Sequence, residues 1–204
     1  PASCYNAFRE YERGKQELHP KGIWYTAVTG IWQTVWLEQV DSAHFTSVHF
    51  IPSLDSVEVF VQTSESGSVC MEVLEEDSCI TAHTFTAGGS QTVSFEAPRL
   101  WTPEQPFLYR VRLSLLRAGR ETDRVESYFG LRTFAVQPDE NGTPYFLLNG
   151  RPYFQKGLLD QGYWPDGLYT APSDEALRRD IEQAKALGFN MLRKHIKVEP
   201  ARWY

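Results

Sequence analysis

With 204 residues, of which 42% are hydrophobic, the chain is long enough for one or two globular domains with buried cores. Its net charge of −6 and its lack of a basic cluster argue against nucleic acid and anionic membranes as partners. No apolar run approaches the ~20 residues of a membrane span, no signal peptide is recognised, and a start at Pro1 rather than methionine suggests a piece of a longer protein.

The cysteines leave the redox compartment open. Cys4, Cys70 and Cys79 are three in number, so at least one stays unpaired, and their spacing matches no zinc pattern. Cys70 and Cys79 could face each other on neighbouring strands, but we favour two free, half-buried thiols. No metal site and no cofactor are expected.

The first part of the chain gives the weakest structural signal. Residues 1 to about 22 are polar and mixed, and we interpret them as loop. Between residues 23 and 40, Trp24, Trp32 and Trp36 stand in short apolar runs. Composition and spacing favour strands that carry tryptophans on one face.

Between residues 44 and 136 the pattern is all-β. Val57, Val59 and Val61 alternate with more polar positions, and a second alternating series begins at Tyr109. Seven short strands in about ninety residues are typical of an immunoglobulin-like sandwich, although no Cys-Trp-Cys arrangement is present. The predicted strands lie near residues 45–51, 56–62, 69–75, 79–86, 91–95, 107–116 and 122–136.

Prolines and turn residues mark where the β region bends and ends. Pro103 and Pro106 exclude a central strand and predict a corner, after which Tyr109 is placed like a tyrosine-corner residue whose role is packing. Residues 137–144 are interpreted as a turn-rich linker. Asn149-Gly150 then predicts a hairpin, since this dipeptide is the strongest two-residue hairpin signal.

The last quarter predicts a strand, a loop, a helix and a second strand, which is a βαβ unit. An apolar run over residues 153–159 is the first strand, and the second spans residues 190–195. Ser173 is a good N-cap, and Gly188 suits a left-handed helix end. The apolar face of the helix is expected to consist of Leu177, Ile181, Ala184 and Leu187.

Ordered short motifs in this chain resemble glycoside hydrolase family 2, which includes β-galactosidases, β-glucuronidases and β-mannosidases. Each motif is weak alone, but their order over about fifty residues is specific. Upstream, Gly30–Glu38 resembles the last strand of the family's sugar-binding jelly roll, and Leu100–Tyr109 and Phe129–Arg132 resemble its next domain. The ordered set is Asn149-Gly150, Lys156-Gly157, the helix from Ser173 and Phe189-Asn190-Met191-Leu192-Arg193.

The resemblance implies a mainly β chain cut from a larger enzyme. Residues 1–42 would be the end of the jelly roll, most of which is absent because such a domain needs about eight strands. Residues 43–137 would form the immunoglobulin-like β-sandwich. Residues 138–204 would form a linker hairpin and the first βαβ unit of a truncated TIM (β/α)₈ barrel.

Candidate substrate-binding residues follow the two predicted barrel strands, because barrel active sites lie at the carboxyl ends of the strands. Carboxylate, amide and aromatic groups in one loop suit sugar hydroxyls and C–H faces, although a solvated loop with an aromatic anchor is the structural alternative. By resemblance Arg193 holds the catalytic nucleophile ionised; a structural salt bridge is the alternative. The candidates are Asp160, Gln161, Tyr163, Trp164, Arg193 and His195.

The function implied by the resemblance is that of a retaining β-glycosidase acting on a carbohydrate substrate. Such an enzyme needs an acid/base and a nucleophile about 5 Å apart. In the family both are glutamates on later barrel strands, so we expect neither in this chain and no activity from it alone. Glu38, Glu140 and Glu199 lie in other elements, and Glu199 is expected to start the second barrel helix.

The alternative is a non-catalytic immunoglobulin-like module that binds carbohydrate or serves only as structure. An adhesion module has no use for a buried Phe-Asn-Met-Leu-Arg strand, so residues after 150 favour the enzyme. The sequence leaves open the sugar, the linkage, the compartment and whether the protein forms a homo-oligomer. The remainder of the parent chain is the other expected partner.

Overall fold

A computed structural model describes residues 15–204. Cys4 and most of the predicted N-terminal loop lie outside the described residues. The strands, in chain order, are β1 (Gln16–Glu17), β2 (Tyr25–Thr26), β3 (Phe45–Pro52), β4 (Ser56–Thr63), β5 (Ser68–Glu75), β6 (Ser78–Thr86), β7 (Ser90–Ser94), β8 (Tyr109–Arg117), β9 (Arg120–Phe129), β10 (Phe134–Pro138), β11 (Pro144–Leu148), β12 (Arg151–Pro152), β13 (Gly157–Asp160) and β14 (Met191–Lys194). The helix α1 spans Asp174–Ala186, and a short 3₁₀ turn spans Ala201–Trp203.

Strands β3 to β9 form a mainly β, immunoglobulin-like sandwich, as the sequence predicts. One sheet has the order β3-β4-β7 and the other β6-β5-β8-β9, with antiparallel neighbours throughout. The last predicted run is too long, because β9 ends at Phe129 and β10 begins a separate sheet at Phe134. Gly130 lies at this break, where a Cβ atom would press against the side chain of Trp101.

The core of the sandwich follows the period-two alternation of its strands. Val57, Val59 and Val61 of β4 point inward, as do the odd-numbered positions of β8 from Tyr109 to Leu115, and their neighbours point outward. The fully buried side chains are Val57, Val59, Val61, Val69, Met71, Val73, Val93, Tyr109, Val111, Leu113, Leu115 and Leu131. Cys70 and Cys79 are both free, with Cys70 half-buried and Cys79 exposed; they face Thr84 and Leu74 rather than each other.

Replacing Leu113 with alanine should destabilise the sandwich by about 2–5 kcal/mol, because the lost side chain leaves a cavity in a close-packed core. Leu113 is 0% exposed between the two sheets. Urea unfolding of the chain measures this change. Thr92→Ala, on the exposed side of β7, is the matched control and should stay within about 0.5 kcal/mol of the parent. Equal effects of the two substitutions would contradict the assignment of the core.

Tyr109 closes the predicted proline corner by packing and by one hydrogen bond. Its hydroxyl accepts a hydrogen bond from the backbone N–H of Arg99 at 2.8 Å. Its ring lies 5.4 Å from Phe129 and 4.9 Å from Phe107, measured between ring centroids. This arrangement matches a tyrosine corner, in which the tyrosine serves packing rather than chemistry.

The segment predicted as a linker is instead the turn of a hairpin. Strands β10 and β11 pair from Phe134↔Leu148 to Pro138↔Pro144, so the turn spans residues 139–143. The carboxylate of Asp139 accepts hydrogen bonds from the N–H groups of Asn141 and Thr143, which stabilises this turn locally.

Asn149-Gly150 forms the predicted second turn, which connects β11 to β12. Asn149 has φ 52° and Gly150 φ 74°, as a type I′ turn requires. The strand after this turn is short, since only Arg151 and Pro152 pair with β11.

The chain divides into two compact units, one of which is Glu38–Phe154, containing the sandwich and the hairpin sheet. The other contains, among the described residues, 15–37 together with Gln155–Tyr204. Within it β13 and β14 pair in parallel through the α1 crossover, which confirms a βαβ unit. Within the part of the chain that the structure describes, no helix is long and apolar enough to cross a membrane.

Helix α1 has the termini that the sequence predicts. The Ser173 side chain accepts from the Ala176 N–H at 3.2 Å. At the other end, Gly188 at φ 85° and Phe189 donate to the carbonyls of Lys185 and Ala184, which is the Schellman arrangement.

Two expectations for this unit are wrong. Leu187 is 75% exposed, because the C-cap residue leaves the face on which Leu177 and Ala184 are buried. Residues 30–38 form no strand, and Trp36 is 66% exposed. A strand needs a hydrogen-bonded neighbour, and none of the described strands pairs with this segment.

Candidate functional site

The candidate site lies where the two parallel strands end. In the register of the pair, Asp160 at the end of β13 lies beside Lys194 at the end of β14. The N–H of His195 donates to the carbonyl of Asp160 at 2.9 Å, which continues the pairing by one bond. The loop after β13 and the segment after β14 therefore begin at the same edge of the sheet.

A buried network of charges occupies this edge. The ammonium of Lys194 lies 2.9 Å from a carboxylate oxygen of Asp160 and 2.5 Å from Oε1 of Glu199. The ammonium of Lys197 lies 3.0 Å from the same Glu199 oxygen and donates to the carbonyl of Gly162 at 2.5 Å. We call Asp160, Lys194, Lys197 and Glu199 the lysine–carboxylate cluster.

The charges of the cluster are balanced, which makes their burial tolerable. The side chains of Lys197 and Glu199 are only 1% and 2% exposed, and that of Lys194 is 9% exposed. Burial lowers the pKa of Lys197, although its hydrogen bond and its attraction to Glu199 oppose the change. Two cations facing two carboxylates avoid the large cost of an unpaired buried charge.

The lowered pKa of Lys197 gives a pH dependence with a defined sign. The folded state releases this proton more readily than the unfolded chain, so below the ordinary lysine pKa of 10.5 the unfolded state binds more protons. Relative to Lys197→Met, the parent's local stability should therefore rise as the pH is raised toward 10.5. The charged groups that face this ammonium, Glu199, Lys194 and Asp160, are present in both proteins. Amide exchange across β14 from pH 7 to 10 measures this difference, and parallel curves for the two proteins would contradict it.

Aromatic rings enclose the two ammonium groups. The ammonium of Lys197 lies 5.1 Å from the ring centroid of Trp32 and 5.2 Å from that of Tyr169. The ammonium of Lys194 lies 4.7 Å from the ring of Trp203. Faces of aromatic rings attract cations, so they replace part of the hydration lost on burial.

Tyr163 anchors the loop to the segment that carries β2. Its ring stacks on Tyr25 with the centroids 4.2 Å apart, and its hydroxyl donates to the carbonyl of Thr26. Tyr169 then contacts both Tyr163 and Trp32 edge to face, at 5.5 and 4.9 Å. Tyr163, which was predicted to bind substrate, therefore also holds the loop in position.

Three other candidate residues each carry a buried polar atom without a hydrogen-bond partner among the described residues. These atoms are Oε1 of Gln161, Nε1 of Trp164 and Nδ1 of His195. Buried polar atoms in folded proteins are nearly always hydrogen-bonded, so each of these atoms needs a partner beyond the described residues.

Arg193 is the third residue of β14. It is exposed and makes no ion pair with any described residue, while its neighbour Lys194 is the buried cation of the strand. Strand alternation turns Lys194 toward Asp160, and the opposite face, which carries Arg193, is left uncovered.

Neither lysine was among the residues predicted for the site, and Glu199 was predicted to start a helix. Glu199 precedes Pro200 and a single 3₁₀ turn, and it points into the cluster. The i, i+2 spacing of Lys197 and Glu199 was the available signal, since both residues are buried while Val198 between them is exposed.

The space beside the cluster is small. A cavity of about 80 Å³ is lined by Trp32, Leu177, Glu199 and neighbouring residues. Ligand pockets usually measure about 300–1,000 Å³. Within residues 15–204, no group of three or more histidine, cysteine or carboxylate side chains could hold a metal ion.

Comparison with known proteins identifies relatives over most of the chain. A family model described as "Glycosyl hydrolases family 2" matches residues 43–132. A β-galactosidase of Thermoanaerobacter pseudethanolicus is 26% identical over 199 residues, which are 89% of this chain and 26% of that protein. A putative β-glucuronidase of Formosa agariphila is 28% identical over 203 residues, which are 92% of this chain and 19% of that protein.

Solved structures are similar to this chain as well. A glycosyl hydrolase family 2 member from Bacteroides cellulosilyticus has a TM-score of 0.73 at 25% identity, covering 88% of this chain and 25% of that chain. A β-glycosidase from Bacteroides vulgatus has a TM-score of 0.74 at 22% identity, over 89% of this chain and 24% of that chain. The chain spans about a quarter or less of the relatives that it matches.

Proposed function

We propose that this chain, which belongs to glycoside hydrolase family 2, forms the immunoglobulin-like domain and the first βαβ unit of the TIM (β/α)₈ barrel of a retaining β-glycosidase. The substrate class is a β-linked glycoside. The relatives' names, β-galactosidase and putative β-glucuronidase, support a β-galactoside or a β-glucuronide as the first compounds to try.

One observation carries the barrel proposal: a parallel strand pair, joined through α1, holds an ordered polar cluster at its carboxyl edge. In TIM barrels the active site is built at this edge, from the loops that follow the strands. An immunoglobulin-like module that served only for adhesion would need neither the parallel pair nor the cluster.

We further propose that the two catalytic carboxylates lie outside these residues. A retaining pair sits about 5–5.5 Å apart on either side of the glycosidic bond, and one member must carry a proton at the working pH. Asp160 and Glu199 both contact the ammonium of Lys194, so both carboxyl groups face a cation of this chain rather than a substrate. Glu38 and Glu140 are exposed in other elements.

The candidate residues divide into two roles under this proposal. Gln161, Trp164 and His195, which follow the carboxyl ends of β13 and β14, bind the substrate in the complete barrel. Asp160 and Tyr163 hold the loop, through the cluster and through the ring of Tyr25. Arg193, at the end of β14, keeps its proposed contact with the nucleophile of the complete barrel.

The stereochemical outcome tests the proposal. The complete protein that contains this chain is incubated with nitrophenyl β-galactoside and nitrophenyl β-glucuronide, and the first-formed sugar is observed by proton NMR. Retention predicts that the β-anomer appears first and then mutarotates. A first-formed α-anomer would contradict a retaining mechanism, and hydrolysis of neither compound would contradict the proposed substrate class.

A further inference from the structure

The backbone of Gly162 is held at both of its polar groups by the lysine–carboxylate cluster. Its N–H donates to Oδ1 of Asp160 at 2.8 Å, and its carbonyl accepts from the ammonium of Lys197 at 2.5 Å. Gly162 has φ 60°, and a Cβ atom there would collide with the Glu199 carboxylate and with the ammonium of Lys194. The loop backbone therefore packs directly on the cluster, at a distance that only glycine permits.

Lys197 is the member of the cluster that donates a hydrogen bond to the loop backbone, at the carbonyl of Gly162. It comes from the segment after β14, its side chain is 1% exposed, and its neighbours are Glu199, Gly162 and the rings of Trp32 and Tyr169. Burying this ammonium is costly, as its lowered pKa indicates. An apolar side chain of similar length would avoid that cost, but it could not donate to the Gly162 carbonyl.

The residues on either side of Gly162 carry the unpartnered buried atoms. Gln161 precedes it and Trp164 follows two positions later, so the orientation of the Gly162 peptide helps to set both side chains. Small displacements of substrate-binding groups have large effects on rate, because orientation contributes much of the barrier reduction in enzymes.

We propose that Lys197 is a positioning residue, which fixes the loop of residues 160–170 through the Gly162 carbonyl and so aims Gln161 and Trp164 at the substrate. The part of this proposal that concerns substrate rests on the proposed glycosidase function; the part that concerns the loop does not. Lys197 itself is too deeply buried to touch substrate.

The first experiment measures the loop in this chain by amide hydrogen exchange. Lys197→Met should accelerate exchange at Gly162, Tyr163 and Trp164 roughly ten- to a hundredfold, while amides within α1 change less than about twofold. Lys185→Met, an exposed lysine near the end of α1, is the matched control and should change neither set. Unchanged exchange in the loop, or equal acceleration throughout residues 155–204, would overturn the positioning role.

Gly162→Ala disturbs the same contact by a change in the loop rather than in the lysine. It serves as the second variant if Lys197→Met fails to fold. The added methyl group meets the cluster, so loop amides should again exchange faster than those of α1. Lys197→Arg keeps a cationic donor and should restore part of the protection that Lys197→Met loses. An arginine variant no better protected than the methionine variant would count against the hydrogen bond to Gly162.

The second experiment uses the complete protein. Lys197→Met should lower kcat/KM for an active nitrophenyl glycoside roughly ten- to a hundredfold, with the largest part in KM, and Lys197→Arg should recover part of it. An unchanged kcat/KM in a variant with a loosened loop would overturn the link to substrate. If the parent protein hydrolyses no glycoside, the proposed function fails, while the exchange experiment still decides the role of Lys197 in the loop.

Discussion

Replacing Glu199 with alanine should destabilise the unit formed by residues 15–37 and 155–204 by about 3–5 kcal/mol, since removing one member of a buried ion pair leaves its partners uncompensated. The Glu199 side chain is 2% exposed and contacts both lysines of the cluster. Without it Lys194 keeps Asp160, but Lys197 keeps only the Gly162 carbonyl and aromatic rings. This local change is best measured by hydrogen exchange of the β14 amides.

The control for this prediction is Glu182→Ala. Glu182 is an exposed carboxylate on α1, so its loss should change the free energy of unfolding by less than about 0.5 kcal/mol. Glu199→Gln keeps the shape without the charge and should fall between the two. If Glu199→Ala destabilised the unit no more than Glu182→Ala, the lysine–carboxylate cluster would not be what stabilises this edge of the sheet.

Replacing Arg193 with alanine in the complete protein should chiefly lower kcat. Loss of a charge-assisted contact to the nucleophile costs on the order of 2–4 kcal/mol in the transition state, so kcat should fall roughly thirty- to a thousandfold. Because Arg193 is exposed and makes no ion pair with the described residues, the melting temperature should hardly change. Arg193→Lys should recover only part of the rate, since an ammonium lacks the planar two-point contact.

The matched control for Arg193 is Arg179→Ala, an exposed arginine on α1. It should leave both kcat and the melting temperature near those of the parent protein. The rival interpretation, in which Arg193 makes a structural salt bridge, predicts a lower melting temperature with kcat nearly unchanged. Kinetics and thermal unfolding of the same variant separate the two interpretations.

The sandwich and the turns were predictable because their signals are local. Strand alternation at Val57, Val59 and Val61 reports directly which face is buried, since successive side chains point to opposite sides. The Asn149-Gly150 turn and the caps of α1 at Ser173 and Gly188 depend on the conformational preferences of single residues. None of these features requires knowledge of a distant segment.

The lysine–carboxylate cluster could not be predicted in the same way, because its members meet only through tertiary structure. Strand alternation correctly placed Arg193 and Lys194 on opposite faces of β14. It did not indicate which of the two faces the loop and the aromatic residues would cover. Lys194 contacts Asp160 on the paired strand, and the two residues are 34 positions apart in the sequence. Trp32, which lies beside Lys197, comes from a segment still farther away in the sequence. Glu199 was misassigned for the same reason, since a carboxylate before a helical turn is usually solvated.

The central claim, that this chain belongs to a β-glycosidase but lacks its catalytic pair, is tested most directly by nitrophenol release. The assay compares the complete protein with the pure 204-residue chain on nitrophenyl β-galactoside and β-glucuronide. We expect hydrolysis by the complete protein and none above background by the chain, since removing the catalytic groups typically costs several powers of ten in rate. Sustained release by the pure chain, proportional to its concentration, would contradict the account, as would a complete protein that releases none.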